Sequence, residues 1–135
     1  MRRSHHRKSR GFTLIEVLLV LAILVILGGM VGVYFTRIQG NAYIDATKTQ
    51  ISMFEQQLKL YRLDVGTYPS TDQGLNSLFE APAGINRWRG PYSEKAIPVD
   101  PWGNPYQYES QGENLRIWSF GPDLTNGSDD DVSST

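Results

Sequence analysis

Two places in this sequence carry side chains whose type and spacing imply chemistry. The first is the segment "FGPDLTNGSDDD", Phe120 to Asp131, where Asp123, Asp129, Asp130 and Asp131 lie among hydroxyls and a loop-forming Asn-Gly. Hard oxygen donors on a flexible loop suit Ca²⁺, which takes 6–8 oxygens, better than Mg²⁺ or zinc. The spacing by itself leaves two readings open, a solvated acidic tail and a calcium loop. It is not an EF-hand, because Ser134 stands where the twelfth-position glutamate would be. The second place is Glu16, inside "RGFTLIEVLLVLAILVILGG" (Arg10 to Gly29), an acid at the head of a run apolar enough for a bilayer. A carboxylate in that setting is costly and points to a function.

Other chemistries find little support. From Phe12 onward there is no histidine, since His5 and His6 both precede it. Nor is there a G-x-S-x-G turn, a phosphate-cradling loop or a paired-carboxylate cleft, so an enzyme is not expected. Without cysteine there is no disulfide, thiolate metal site or thiol nucleophile. The formal net charge of −1 hides a segregation of signs. Arg2, Arg3, Arg7, Lys8 and Arg10 precede any acid, whereas from Phe12 onward eight basic residues face fourteen acidic ones. The basic start reads as a topology signal and the rest as a mildly acidic body. Nucleic-acid binding is not expected, because no basic patch with interleaved aromatics lies beyond the first ten residues.

The elements that must position these groups follow from periodicity. Val17 to Phe35 is apolar or glycine throughout, and at 1.5 Å per residue it spans about 28 Å, close to the hydrocarbon thickness of a bilayer. Basic residues before it and few after it predict a single-pass anchor with a cytoplasmic N-terminus and an exported body. A conventional cleaved secretory signal fits less well, since the run is long and no A-x-A-like site follows it. Beyond Phe35 the pattern becomes periodic. Ile44, Ile51, Phe54, Leu58, Tyr61 and Val65 fall on one helical face, so this stripe is core. Gly66 and Pro69 end the helix, which is predicted from about Phe12 to about Leu63. Gly28, Gly29, Gly32 and Gly40 mark where it would bend or lose a turn.

In the C-terminal half a short helix is expected after a Ser70 or Thr71 cap, with Leu75, Leu78 and Phe79 inward. Tyr106–Glu109 and Leu115–Phe120 have strand character, joined by a hairpin centred on Gly112. Trp88, Tyr92, Trp102, Tyr106 and Trp118 are assigned to core packing in preference to a sugar-binding platform.

Gly11-Phe12-Thr13-Leu14-Ile15-Glu16, after a basic leader and before a long apolar run, resembles the type III signal of type IV pilins and pseudopilins. "TYPSTDQGLNSLFEAP", "WRGPY", "DPWGNPYQY" and "SFGPD" are similar to segments of the major, G-type pseudopilin of type II secretion systems. The resemblance runs from Gly11 to Asp131, with Val33 where pilins usually carry a proline.

It implies an α+β, pilin-like lollipop made of four parts. A leader of residues 1–11 is removed, and residues 12–35 form the membrane and polymerisation half of a long helix. Residues 36–65 form its amphipathic half, and residues 66–135 a periplasmic domain with a calcium loop at 120–131. The resemblance further implies a membrane prepilin peptidase and N-methyltransferase that cuts between Gly11 and Phe12 and methylates Phe12. Glu16 would then meet the new amine of a neighbouring subunit and set the stagger between protomers.

Carried over by position, calcium would take the side chains of Asp123, Ser128, Asp130 and Asp131 and the carbonyls of Phe120 and Thr125, leaving Asp129 outside. The Asp129–Asp131 run leaves a one-residue ambiguity in that register. The implied function is polymerisation into an inner-membrane-anchored periplasmic pseudopilus that helps export folded proteins. Its implied partners are further copies of itself, minor pseudopilins, an inner-membrane assembly platform and lipid. A surface pilin, or a tethered binding domain that does not polymerise, are the alternatives.

Overall fold

The structure is a computed structural model that describes residues 11–133, with backbone only for residues 33–37. The basic leader residues before Gly11 and the end of the chain after Ser133 lie outside the described residues. The chain divides into two compact units, Met1–Gln39 and Gly40–Thr135.

Helix α1 runs Leu14–Val65 without interruption, passing through Gly28, Gly29, Gly32 and Gly40 as regular helix with no melted turn. Its first part, Leu14–Gly32, is long and apolar enough to cross a membrane, with a mean hydropathy of 2.9 and none of it buried. The span therefore takes in Glu16, starting three residues before the apolar run that begins at Val17. It resembles no soluble core helix, because such a helix would hide this face inside its own fold.

The second unit is built on the rest of α1. Ile51, Phe54, Leu58 and Tyr61 are buried at alternating three- and four-residue spacing, one face of the helix. Ile44 and Val65, expected on the same face, are half-buried because they lie at its two ends. Thr47 fills a gap in the stripe, fully buried, its hydroxyl donating to the Tyr43 carbonyl (2.8 Å). The helix stops at Gly66, whose φ of +99° is a left-handed cap and whose N–H reaches the Arg62 carbonyl at 2.8 Å.

The predicted short helix is a 3₁₀ turn, Leu75–Leu78. Ser70 opens the preceding turn as half of a reciprocal box: Gln73 N–H donates to Ser70 Oγ (3.3 Å) and Ser70 N–H to Gln73 Oε1 (2.9 Å). Leu75 and Leu78 point into the core, and Phe79 is half-buried.

The sheet has three antiparallel strands in the order β1-β2-β3: β1 Gln107–Gln111, β2 Asn114–Ser119 and β3 Val132–Ser133. The first strand starts one residue later and ends two residues later than predicted, and the second is shifted one residue earlier. Tyr106 precedes β1, and Phe120 leaves β2 to start a second 3₁₀ turn, Gly121–Asp123. The hairpin is tight, pairing Gln111 with Asn114 across Gly112 and Glu113. Gly112 has φ +68°, which suits the first position of a II′ turn.

Tyr106, Tyr108 and Ile117 complete the core against α1. Aromatic edges meet there, Phe54 with Tyr106 at 5.2 Å and Tyr61 with Tyr92 at 5.6 Å between ring centroids. Their polar tips are used internally. Tyr108 OH donates to the Pro69 carbonyl (2.8 Å), Tyr92 OH to Asp64 (2.9 Å) and Trp88 Nε1 to the Ser77 carbonyl (2.8 Å). Trp88, Tyr92 and Tyr106 thus pack in or against the core as the sequence implied, whereas Trp102 and Trp118 are half-buried outside it.

Candidate assembly terminus and acidic loop

Gly11, Phe12 and Thr13 precede α1 and are exposed, Phe12 at 85%. Thr13 is the N-cap residue and Glu16 sits at the third helical position. Thr13 N–H donates to Glu16 Oε2 (2.9 Å), as does the Thr13 hydroxyl (3.1 Å), and Glu16 N–H approaches Thr13 Oγ1 at 3.4 Å. This is a capping box: the first-turn amides have no partner inside the helix, and the two side chains supply one. Sequence reasoning overlooked it, although Thr-x-x-Glu before an apolar run is its signature. Both members lie after Gly11, so a cut between Gly11 and Phe12 would leave the box intact.

The acidic loop leaves the sheet at the end of β2 and returns through β3. Pairing of Ser119 with Val132 and of Trp118 with Ser133 brings its two ends together. Nothing in the sequence of Val132–Ser133 announced a strand, since two residues cannot show alternation. Within the loop, Thr125 N–H donates to Asp123 Oδ1 (3.0 Å), Gly127 N–H to Asp131 Oδ2 (2.8 Å) and Asp130 N–H to Ser128 Oγ (3.3 Å). Trp118 Nε1 donates to Asn126 Oδ1 (3.1 Å) from the sheet side, with the Arg116 guanidinium over its ring at 4.7 Å.

The expected donors are placed unequally. Asp123, Thr125 and Asp130 are exposed, Phe120, Ser128 and Asp131 are half-buried, and Asp129 is exposed. Among the described residues no three carboxylates converge into a ready-made metal cluster. The donor set nonetheless fits a hard divalent cation at one telling point. Asp131 Oδ1 is buried without a hydrogen-bond partner, while its Oδ2 is bonded to Gly127. A buried acceptor left unpaired is unfavourable, and a cation is one way to satisfy a carboxylate.

At the loop's start Gly121 has φ +67°, and a Cβ there would lie 2.1 Å from the Asp130 carbonyl oxygen. The two backbones touch, so this position requires glycine.

The chain has relatives among known proteins. The family described as type II secretion system (T2SS), protein G matches residues 35–135, and the prokaryotic N-terminal methylation motif matches residues 6–32. The chain is 39% identical over 132 residues to the type II secretion system core protein G of Pseudomonas aeruginosa, covering 93% of each. It is 36% identical over 133 residues to the protein of the same name from Escherichia coli K12, covering 94% of this chain and 91% of the relative. The crystal structure of the major pseudopilin from the type 2 secretion system of enterohaemorrhagic Escherichia coli superposes with a TM-score of 0.63. That match has 32% identity and covers 70% of this chain and 84% of the other. With the methylation motif on its apolar helix and the protein G pattern over its whole C-terminal unit, this chain belongs to the type II secretion system protein G family.

Proposed function

We infer that this chain is the major structural subunit of the pseudopilus of a type II secretion system, polymerising through α1 to help export folded proteins. One observation carries the reading: a methylation motif that takes in a bare apolar helix is followed directly by a protein G body in a single chain. The family match over residues 35–135 separates it from a surface pilin or a tethered binding domain. Its role is structural, not catalytic. Prepilin peptidase removes the leader after Gly11 and methylates Phe12, and the second unit faces the periplasm from the inner membrane. Minor pseudopilins and an inner-membrane platform complete the assembly.

Glu16 serves this role by exchanging partners. In the single chain its carboxylate caps α1 through Thr13. In a bundle of like helices it meets the cationic amine of a staggered neighbour, and an unpaired charge among apolar helices disfavours every other stagger. Calcium is the cation we assign to the loop of residues 120–131. Asp123, Ser128, Asp130 and Asp131 would hold it, with the carbonyls of Phe120 and Thr125. When bound, it neutralises the acidic run and ties down a segment with almost no buried apolar surface, so that binding energy becomes folding energy.

The test is the mass of the N-terminus in polymerised material, together with the filament yield of Glu16→Ala. We expect a methylated Phe12 terminus, and a variant that is inserted and processed but polymerises poorly. A retained leader in filaments, or normal yield from the variant, would overturn the assignment.

A further inference from the structure

Asp100 is an acid that neither terminus nor loop explains. It is 3% exposed, in the segment "VDPWGNPY", and every bond it makes is internal. Its Oδ1 accepts from the N–H groups of Asn104 (2.7 Å) and Trp102 (3.1 Å), which closes the 100–104 turn. Its Oδ2 accepts from the hydroxyl of Ser119 at 2.5 Å. Ser119 is the last residue of β2 and fully buried, and its oxygen also accepts from Gly121 N–H (3.1 Å). Gly121 in turn lies against the Asp130 carbonyl, with no room for a side chain.

A continuous line of contacts therefore runs from the proline-rich loop through Asp100, Ser119 and Gly121 to the acidic run. The Ser119 hydroxyl has one proton, and Asp100 takes it. Its oxygen is thereby left facing the Gly121 amide as an acceptor, which fixes the backbone where the loop leaves the sheet. Pairing of Ser119 with Val132 fixes where it returns.

We propose that Ser119, oriented by Asp100, is a positioning residue for the cation loop, setting which carboxylates of the Asp129–Asp131 run face the metal. The inference rests on the calcium assignment above. Packing alone does not call for this arrangement, since an alanine at 119 would fill nearly the same volume. The hydroxyl matters because the loop's first amide needs an acceptor of fixed direction. Groups of this outer kind typically change metal affinity by about 10- to 100-fold when removed.

The experiment uses the full mature chain in detergent micelles, titrated with calcium chloride below its melting temperature. Tryptophan fluorescence is the readout, because the Trp118 indole is bonded to Asn126 within the loop. Ser119→Ala removes the bridge. Asp100→Asn keeps an oxygen for the Trp102 and Asn104 amides but turns an NH₂ toward Ser119, and so preserves the fold if Ser119→Ala does not. Tyr108→Phe, which loses a buried bond to Pro69 far from the loop in sequence, is the control for general destabilisation.

The expected result is a calcium dissociation constant raised at least tenfold in Ser119→Ala or Asp100→Asn and unchanged in Tyr108→Phe. A wild-type dissociation constant in the folded variants, whatever their melting temperatures, would overturn the proposal and leave the calcium assignment standing. No saturable response in the wild-type chain would overturn both.

Discussion

Replacing Asp131 by asparagine tests the acidic loop most directly, because its effect should depend on whether calcium is present. In the wild-type chain Asp131 Oδ2 accepts from Gly127 and Oδ1 is buried without a partner. Calcium held a hundredfold above its dissociation constant stabilises a folded protein by about 2.7 kcal/mol. For a domain of roughly 100 residues, at about 4–8 °C per kcal/mol, that is a rise in melting temperature of about 11–22 °C. If the substitution weakens binding a hundredfold, the same calcium concentration only half-saturates the site. The stabilisation then falls to about 0.4 kcal/mol, or about 2–3 °C. Under chelation the asparagine oxygen keeps the Gly127 bond, and one charge leaves a crowded acidic run. The variant should therefore melt at or above the wild type. The assay is thermal melting by tryptophan fluorescence in calcium and in chelator, which reports the second unit because Trp88, Trp102 and Trp118 all lie there. An equal calcium-induced rise in variant and wild type would refute the role given to Asp131, and a wild type indifferent to calcium would refute the loop's.

Three further outcomes are expected. Leu58→Ala removes a fully buried side chain from the middle of the core and should cost about 2–5 kcal/mol, read as a lower denaturation midpoint. Gly121→Ala forces a Cβ against the Asp130 carbonyl at a positive φ, so the calcium response should vanish while helical circular dichroism persists. Burial holds the phenols of Tyr61, Tyr92, Tyr106 and Tyr108 above their ordinary range. An unfolded chain would release those protons near about pH 10 and the folded chain later. Their stabilisation is thus complete below that pH and is lost as pH rises through the folded values, which denaturation midpoints between about pH 9 and 11 will show.

The long helix was legible because its two patterns, continuous and then periodic, are both of high contrast. Thr47 was missed because its hydroxyl reads as polar, yet it fills the gap between Ile44 and Ile51 and returns its proton to its own helix. The hairpin could be placed from Gly112 and the alternation on each side. Its ends slipped by a residue because Tyr106 and Phe120 are as strand-like as their neighbours, and only pairing decides where a ladder stops. At the loop the residue types left a solvated acidic tail and a calcium loop both open, and the floor beneath it was out of reach. Asp100 and Ser119 are 19 residues apart, and no local signal marks either as buried. Contacts of that kind belong to tertiary structure, where neither periodicity nor turn chemistry speaks.

The orphaned oxygen of Asp131 gains weight from how well its surroundings are satisfied. Tyr92, Tyr108, Trp88 and Trp118 all find partners for their polar tips, and buried Asp100 has three donors. Loose packing would have left several of these unpaired. Among the described residues Gln57 Oε1 and Asn104 Nδ2 are also buried and unpaired. Both are neutral amides, which cost less to bury unpaired than an ionised carboxylate does. Asp131 instead is a carboxylate that follows Asp129 and Asp130 directly, so its unpaired oxygen belongs to a locally acidic run as well as having lost water. A fold that satisfies its buried acid Asp100 so fully leaves the Asp131 carboxylate incomplete, and an unsatisfied charged group is where an external partner is to be sought.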